Sequence, residues 1–258
     1  MDPDPELTPA RAARLAAREG RLGSTRGVAL GYLQCNLVIL RRPLAYHFLL
    51  YCQRNQKACP VLEVTDDGDP EPRSLAPGAD LRTDLPRYSV YRNGKHTEDR
   101  EEILDLWEKD SVAFLIGSGI TFDEALQRAG VPTDKHRWVL TTNIPTQPAG
   151  PFHGNLVVTM RWLTPAQAII ATQVSARFPF NHGAPVHIGD PGAIGANLDQ
   201  PLFGDPVNGI PGHLVPVFWA CGVTPQAVAE ASGVDFMITH APAHGFVSDL
   251  HANDVCLP

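Results

Sequence analysis

Charge is scarce in this sequence, long apolar runs are absent, and no cysteines pair in a C-x-x-C spacing. Charged residues make up 19% of 258 positions, yet hydrophobic residues reach 43%, which excludes a wholly disordered chain. The longest apolar runs, such as Val112–Ile116 and Val215–Cys221, fall far short of the roughly 20 residues that cross a bilayer. Acids outnumber bases for a net charge of −7, so nucleic-acid phosphates meet no electrostatic attraction. Five cysteines without metal spacing argue against a disulfide framework or zinc knuckle, and a reducing cytoplasm fits best. Neither a strand-linked G-x-G-x-x-G, a G-x-x-x-x-G-K-[ST] nor a G-x-S-x-G occurs, which argues against dinucleotide binding, nucleotide hydrolysis and a hydrolase elbow. What is abundant is proline (24) and glycine (22), the punctuation of many short connections. The expectation is an acidic α/β enzyme.

Thr8-Pro9 ahead of an Ala/Arg stretch and Gly20 predicts a capped helix, solvent-facing and leading into the fold. Asp2, Asp4 and Glu6 upstream argue against a transit peptide. Beyond it, the sequence resembles itself. Val112–Glu124 followed by Ala129-Gly130-Val131 parallels Val215–Ala227 followed by Ser232-Gly233-Val234, at a constant offset. Each copy reads as buried strand, glycine turn, threonine N-cap (Thr121, Thr224), helix and glycine stop. Cys35-Asn36-Leu37-Val38 parallels Gly154-Asn155-Leu156-Val157, and Thr142-Asn143-Ile144-Pro145 parallels Thr239-His240-Ala241-Pro242. The expected fold class is therefore α/β, internally duplicated, with mixed sheets and strand-turn-helix units in each half. The expected divisions are 1–33 (helix and lead-in), 34–149 and 150–250 (the two halves) and 251–258 (a loosely held tail). Tyr88–Arg92 before Asn93-Gly94 signals a hairpin, and the Asp/Arg alternation ahead of it a surface ion-pair run.

Ligands of α/β sheets collect at strand ends where helix N-termini converge. There the duplication places Ser118 and Gly119 in one copy and Cys221 and Gly222 in the other, with Thr121 and Thr224 beside them. Helix N-termini suit a carboxylate, and one could lower the Cys221 thiol pKa. Four histidines fall in two rigid motifs, His182-Gly-Ala-Pro-Val-His187-Ile-Gly-Asp190 and His240-Ala-Pro-Ala-His244. Imidazole at strand ends suits proton transfer, or a divalent metal such as Mn or Mg, although no standard metal spacing is present. Asn143 stands where the other half has His240, so one half reads as catalytic and the other as shaping the substrate. Arg161 and Arg177 are cations able to meet a carboxylate, with a surface salt bridge as the more ordinary reading.

These motifs carry a family resemblance. Gly31-Tyr32-Leu-Gln34-x-Asn36, Gly78-Ala-Asp80-x-Arg82-Thr83-Asp84-Leu-Pro86-Arg87-Tyr88, the His182–Asp190 motif, Pro216–Gln226 and Thr239-His240-Ala-Pro-x-His244 resemble the hydro-lyase family that includes D-glutamate cyclase. The resemblance implies a lyase of amino-acid metabolism that closes D-glutamate to 5-oxo-D-proline with loss of water. Catalysis would then fall to His182, His187, His240, His244 and Cys221. Substrate binding would fall to Ser118, Gly119, Thr121, Asn143, Gly222, Thr224, Arg161 and Asp190. The chain departs from the family pattern at Ser118, Gly119, the short approach Asp134–Thr141, Thr146 and Gly245, which implies an altered substrate pocket and lost arginine clamp. The alternatives are a lactam or amide hydrolase using Cys221 and a non-catalytic carboxylate-binding protein. The expected partner is a small carboxylic or amino acid, with no nucleic acid and no membrane; homo-oligomer formation stays open.

Overall fold

The computed structural model describes residues 7–133, 137–207, 209 and 211–257. Asp2, Asp4, Glu6 and residues 134–136 of the short approach to Thr142 lie outside the described residues. Among those described, no helix is long and apolar enough to cross a membrane.

Two sheets carry the fold. The strands are β1 (Tyr32–Arg41), β2 (Val61–Val64), β3 (Tyr88–Arg92), β4 (Lys95–Arg100), β5 (Ser111–Gly117), β6 (Trp138–Pro145), β7 (Asn155–Leu163), β8 (His187–Ile188), β9 (Val215–Ala220), β10 (Phe236–His240) and β11 (Phe246–His251). The first sheet runs β2-β5-β1-β10-β3-β4, with β11 also on β1, and the second runs β6-β7-β9-β8. Every described pairing is antiparallel, where mixed sheets were expected. The crossovers explain this difference. Helix α2 (Arg42–Arg54) links β1 to β2, but β5 inserts between them, so the like-directed strands never become neighbours. The short helix α3 (Asp123–Arg128) leads from β5 into the other sheet, and α5 (Thr224–Ser232) leads back from β9.

Strand β1 is buried along both faces, as a central strand should be. Leu33, Cys35, Leu37 and Ile39 pack under the 75–90 segment, while Val38 and Leu40 join Phe48, Phe114, Val158 and Phe218 between the two sheets. On the outer face of the second sheet, Val217 and Trp219 meet α3 and α4 (Pro165–Ala176). The Asn93-Gly94 hairpin forms as expected, with positive φ at both residues.

Helix α1 (Pro9–Arg18) forms with Thr8 as its cap, but it is not simply solvent-facing. Ala10, Ala13, Arg14 and Ala17 are buried, and Arg14 makes a bidentate pair with Asp249. In the Asp/Arg run, Asp84 is buried and holds Arg18 of α1, so that pair fastens the helix instead of decorating the surface. The tail is also held: Ala252 is buried, and Arg177 and Leu257 exchange two hydrogen bonds.

Candidate functional site

The strand orders of the two sheets correspond. Reading β10-β1-β5-β2 against β6-β7-β9-β8 matches β1 with β7, β5 with β9 and β2 with β8. The turn after β5 and the turn after β9 are anchored by the same set of bonds. Ser118 N donates to Gln34 O at 3.0 Å, and Cys221 N donates to Val157 O at 3.0 Å. Thr121 Oγ1 accepts from Gln34 N, and Thr224 Oγ1 accepts from Val157 N. Thr121 and Thr224 therefore tie their turns to the neighbouring strand and are not N-caps, as the sequence reading had them. Ser118 caps the 3-10 turn Gly119–Phe122, and α5 has no side-chain cap. These bonds match Gln34 with Val157, a slip of four residues from the Asn36–Asn155 correspondence expected. Apolar strands resemble one another at even shifts, which keep each side chain on its face.

Between these two turns lies a cavity of about 240 Å³. Its walls draw on matched positions: Ser118 with Cys221, Gly119 with Gly222, Ile120 with Val223, and Asn36 on β1 with Thr159 on β7. Strands β10 and β11 run along one edge of β1 in the same direction, so Ala241–Gly245 forms a break between them. His240 at the end of β10, with Pro242 and Ala243 inside that break, closes the wall beside Asn36. Asn36 Nδ2 donates to Gly117 O at 2.9 Å, and a Cβ at Gly222 would overlap the Asn36 amide, so glycine is required there.

Positive charge dominates the cavity. Arg26, Arg137 and Arg161 line it, and the acid that pairs with the last two is Asp123, the first residue of α3, which is not itself on the wall. Arg161 Nη2 meets Asp123 Oδ1 at 2.7 Å, and Arg137 Nη2 meets the other oxygen. Arg161 lies 5.5 Å over the Trp219 ring, with its Nε and Nη1 unpartnered among the described residues, as is Arg137 Nε. Burial, then the like charge of Arg137, pushes Arg161 down to about 10 against the pull of Asp123, so it stays protonated at neutral pH. Arg161 is thus a buried cation with unused donors, where the sequence favoured a surface salt bridge. Arg177, by contrast, binds the tail at the surface.

His182 and His240 line the cavity, both buried and both pushed down to about 4, chiefly by burial. Cys221 lines it too, but burial pushes its thiol up, against the lowering expected beside a helix start. Six expected residues are not on its wall: Thr121 and Thr224, which tie the turns to the neighbouring strands, and His187, Asp190, His244 and Asn143. His187 Nε2 bonds Asp190 O at 2.8 Å, and the Asp190 carboxylate is exposed and caps Gly192. His244 Nδ1 bonds Pro242 O at 2.7 Å, and Asn143 is exposed against Gly195. The histidines therefore do not converge as a metal centre, and among the described residues no three His, Cys, Asp or Glu side chains do. Of the departures from the family pattern, Ser118 and Gly119 face the cavity, and Arg137, within the short approach, supplies a cation there. Gly245 does not open space: a Cβ there would press on the Cys35 carbonyl. Sequence reasoning missed Arg26, Asp123, Asn36 and Thr159; the available signal was the repeated turn, whose strand neighbours form the remaining walls.

A family model described as D-glutamate cyclase matches residues 112–249. A Thermoanaerobacter sp. (strain X514) protein is 54% identical over 245 residues, covering 92% of both chains. A protein of Stutzerimonas stutzeri (strain A1501) is 52% identical, covering 95% of this chain and 94% of its own. YcsI of Bacillus subtilis (strain 168) is 50% identical, covering 92% and 95%. Each bears the name "Putative hydro-lyase".

Proposed function

The chain belongs to the D-glutamate cyclase family, and from that premise we propose that it eliminates water from a small dicarboxylic amino acid by closing a lactam ring. The observation that carries this reading is the surplus of cations around the cavity: three arginines against one aspartate. Two carboxylates with a neutral amine carry a charge of −2, the complement of that surplus. The guanidinium groups also disfavour an ammonium beside them, which frees the amine lone pair for attack. The guanidinium groups of Arg26, Arg137 and Arg161 on the walls suit charge-assisted bonds to a carboxylate. A cavity of about 240 Å³ suits a small metabolite, being below the roughly 300 Å³ at which drug-sized pockets begin.

Ser118 and Gly119 support a substrate that differs from D-glutamate where it meets those two residues. A hydrolase acting through Cys221 is less well supported, because burial holds the thiol protonated. Mass spectrometry of D-glutamate, L-glutamate and related dicarboxylic amino acids, with and without Mn²⁺ or Mg²⁺, tests the reading. The expected result is a product lighter by one water. Saturable binding without product would favour a binding protein, and lactam opening blocked by thiol alkylation would favour the hydrolase.

A further inference from the structure

His182 and His240 each have one ring nitrogen committed to the backbone, in opposite senses. Nδ1 of His182 lies 3.1 Å from the Lys57 carbonyl, which can only accept, so that nitrogen carries the ring proton and Nε2 keeps its lone pair. Nδ1 of His240 accepts the Leu37 N–H at 3.2 Å, so Nδ1 is bare and Nε2 carries the proton. No hydrogen-bond partner for either Nε2 is found among the described residues, and both rings line the cavity. The frames are firm. His182 sits at φ 74° after a turn whose Asn181 donates to Ser118 O and Thr121 Oγ1. Gln226 Nε2 donates to the His240 carbonyl at 3.0 Å. The charged and titratable groups facing the pair are Lys57 for His182 and His244 for His240, with Arg26, Arg137, Arg161 and Cys221 on the walls of the same cavity. Burial above all disfavours a second proton on either ring, and the Lys57 and His244 charges add to it against the backbone hydrogen bonds.

We infer that the two histidines divide the chemistry, His182 serving as the base and His240 as a neutral hydrogen-bond donor to the developing oxyanion. The inference rests on the lactam-closing reading above. The amine gives one proton to solvent on binding, and its nitrogen forms the C–N bond to the carboxylate carbon. His182 Nε2 takes a second proton from that nitrogen while His240 Nε2–H and an arginine hold the oxyanion. His182 returns the proton to the departing oxygen, the C–O bond breaks, and the hydroxide regains the solvent proton as water.

Two measurements test this. In ¹⁵N-histidine NMR of the wild-type protein, assigned by loss of signal in H182Q and H240Q, His182 should show protonated Nδ1 and bare Nε2, and His240 the reverse. Like tautomers, or either ring charged at neutral pH, would overturn the proposal. In turnover of a dicarboxylic amino acid, H182A should lose at least ~100-fold in kcat and be partly restored by added imidazole. H240A should lose at least ~100-fold without rescue, and H240Q only about tenfold, because its amide N–H replaces the donor. Imidazole rescue of H240A in place of H182A would overturn the assignment. Wild-type protein inactive on every such acid would overturn the reaction, whereas the tautomer spectrum stands or falls separately.

Discussion

At the scale of single residues, burial sets the behaviour of the site. Asp123 is buried with its two oxygens divided between Arg161 and Arg137. Removing one partner of a buried pair is costly, so the cluster survives because each guanidinium shares the same carboxylate. The two cavity histidines make the burial measurable. Each is pushed from the ordinary 6.5 down to about 4, so the native protein binds fewer protons than the unfolded chain between those values. Stability is then complete above about pH 6.5, declines as pH falls through the window, and levels off below about pH 4. At 1.36 kcal/mol per unit, the loss is on the order of 3 kcal/mol for each ring. Urea unfolding between pH 7.5 and 4 should show this decline, and H240Q should remove about half of it. A flat profile across the window would mean that the rings are hydrated in the folded state.

At the scale of elements, the threonines of the two turns do the same work at matched positions. Thr224 is fully buried; its hydroxyl donates to Cys221 O at 2.8 Å and accepts from Val157 N at 3.2 Å. Thr224→Val strands a buried N–H and should cost about 1–3 kcal/mol, with Thr121→Val costing a similar amount through Gln34 N. Chemical denaturation of both variants checks this; a cost confined to one would make the matched bonds unequal. Much of this level was legible in the sequence. The strand-turn-helix pattern, the glycine stops and the hairpin follow from local periodicity and turn chemistry, and Gly130 and Gly233 do take positive φ. The placement of Ser118, Cys221, His182 and His240 around one cavity follows from motifs at strand ends, whereas Arg161, inside β7, read as a surface salt bridge. Side-chain direction was not legible. His187 and His244 belong to the same motifs, yet each turns a ring nitrogen to a nearby carbonyl away from the cavity wall. Nor was Asp123 legible as the partner of the cavity arginines, because an acid in a helix's first turn ordinarily answers the helix dipole.

At the scale of the whole molecule, the sheets cut across the division of the sequence into halves. Strand β6 precedes residue 150 but pairs with β7, and β10 follows it but lies between β1 and β3. No local pattern announces such an exchange, because strand pairing over this separation is decided by the assembled core and not by neighbours in sequence. The core between the sheets likewise takes Val38, Phe48 and Phe114 from one half and Val158, Phe218 and Met237 from the other. A fragment of residues 1–149 would leave the β1 edge bare, detach the β3–β4 hairpin from the sheet and leave β6 without β7. A fragment of residues 150–258 would keep β7, β9 and β8 but strand β10 and β11 without β1. Exposed apolar edges of this kind pair or aggregate instead of folding. Each fragment alone should therefore show no cooperative thermal transition, while co-expression should restore a single one, read by calorimetry and near-ultraviolet circular dichroism. Because Ser118 lies in one fragment and Cys221, His182 and His240 in the other, ligand binding should appear only in the mixture. A cooperative transition in either fragment alone would show that the exchanged strand is an ornament on an independent domain and not part of what holds the two sheets together.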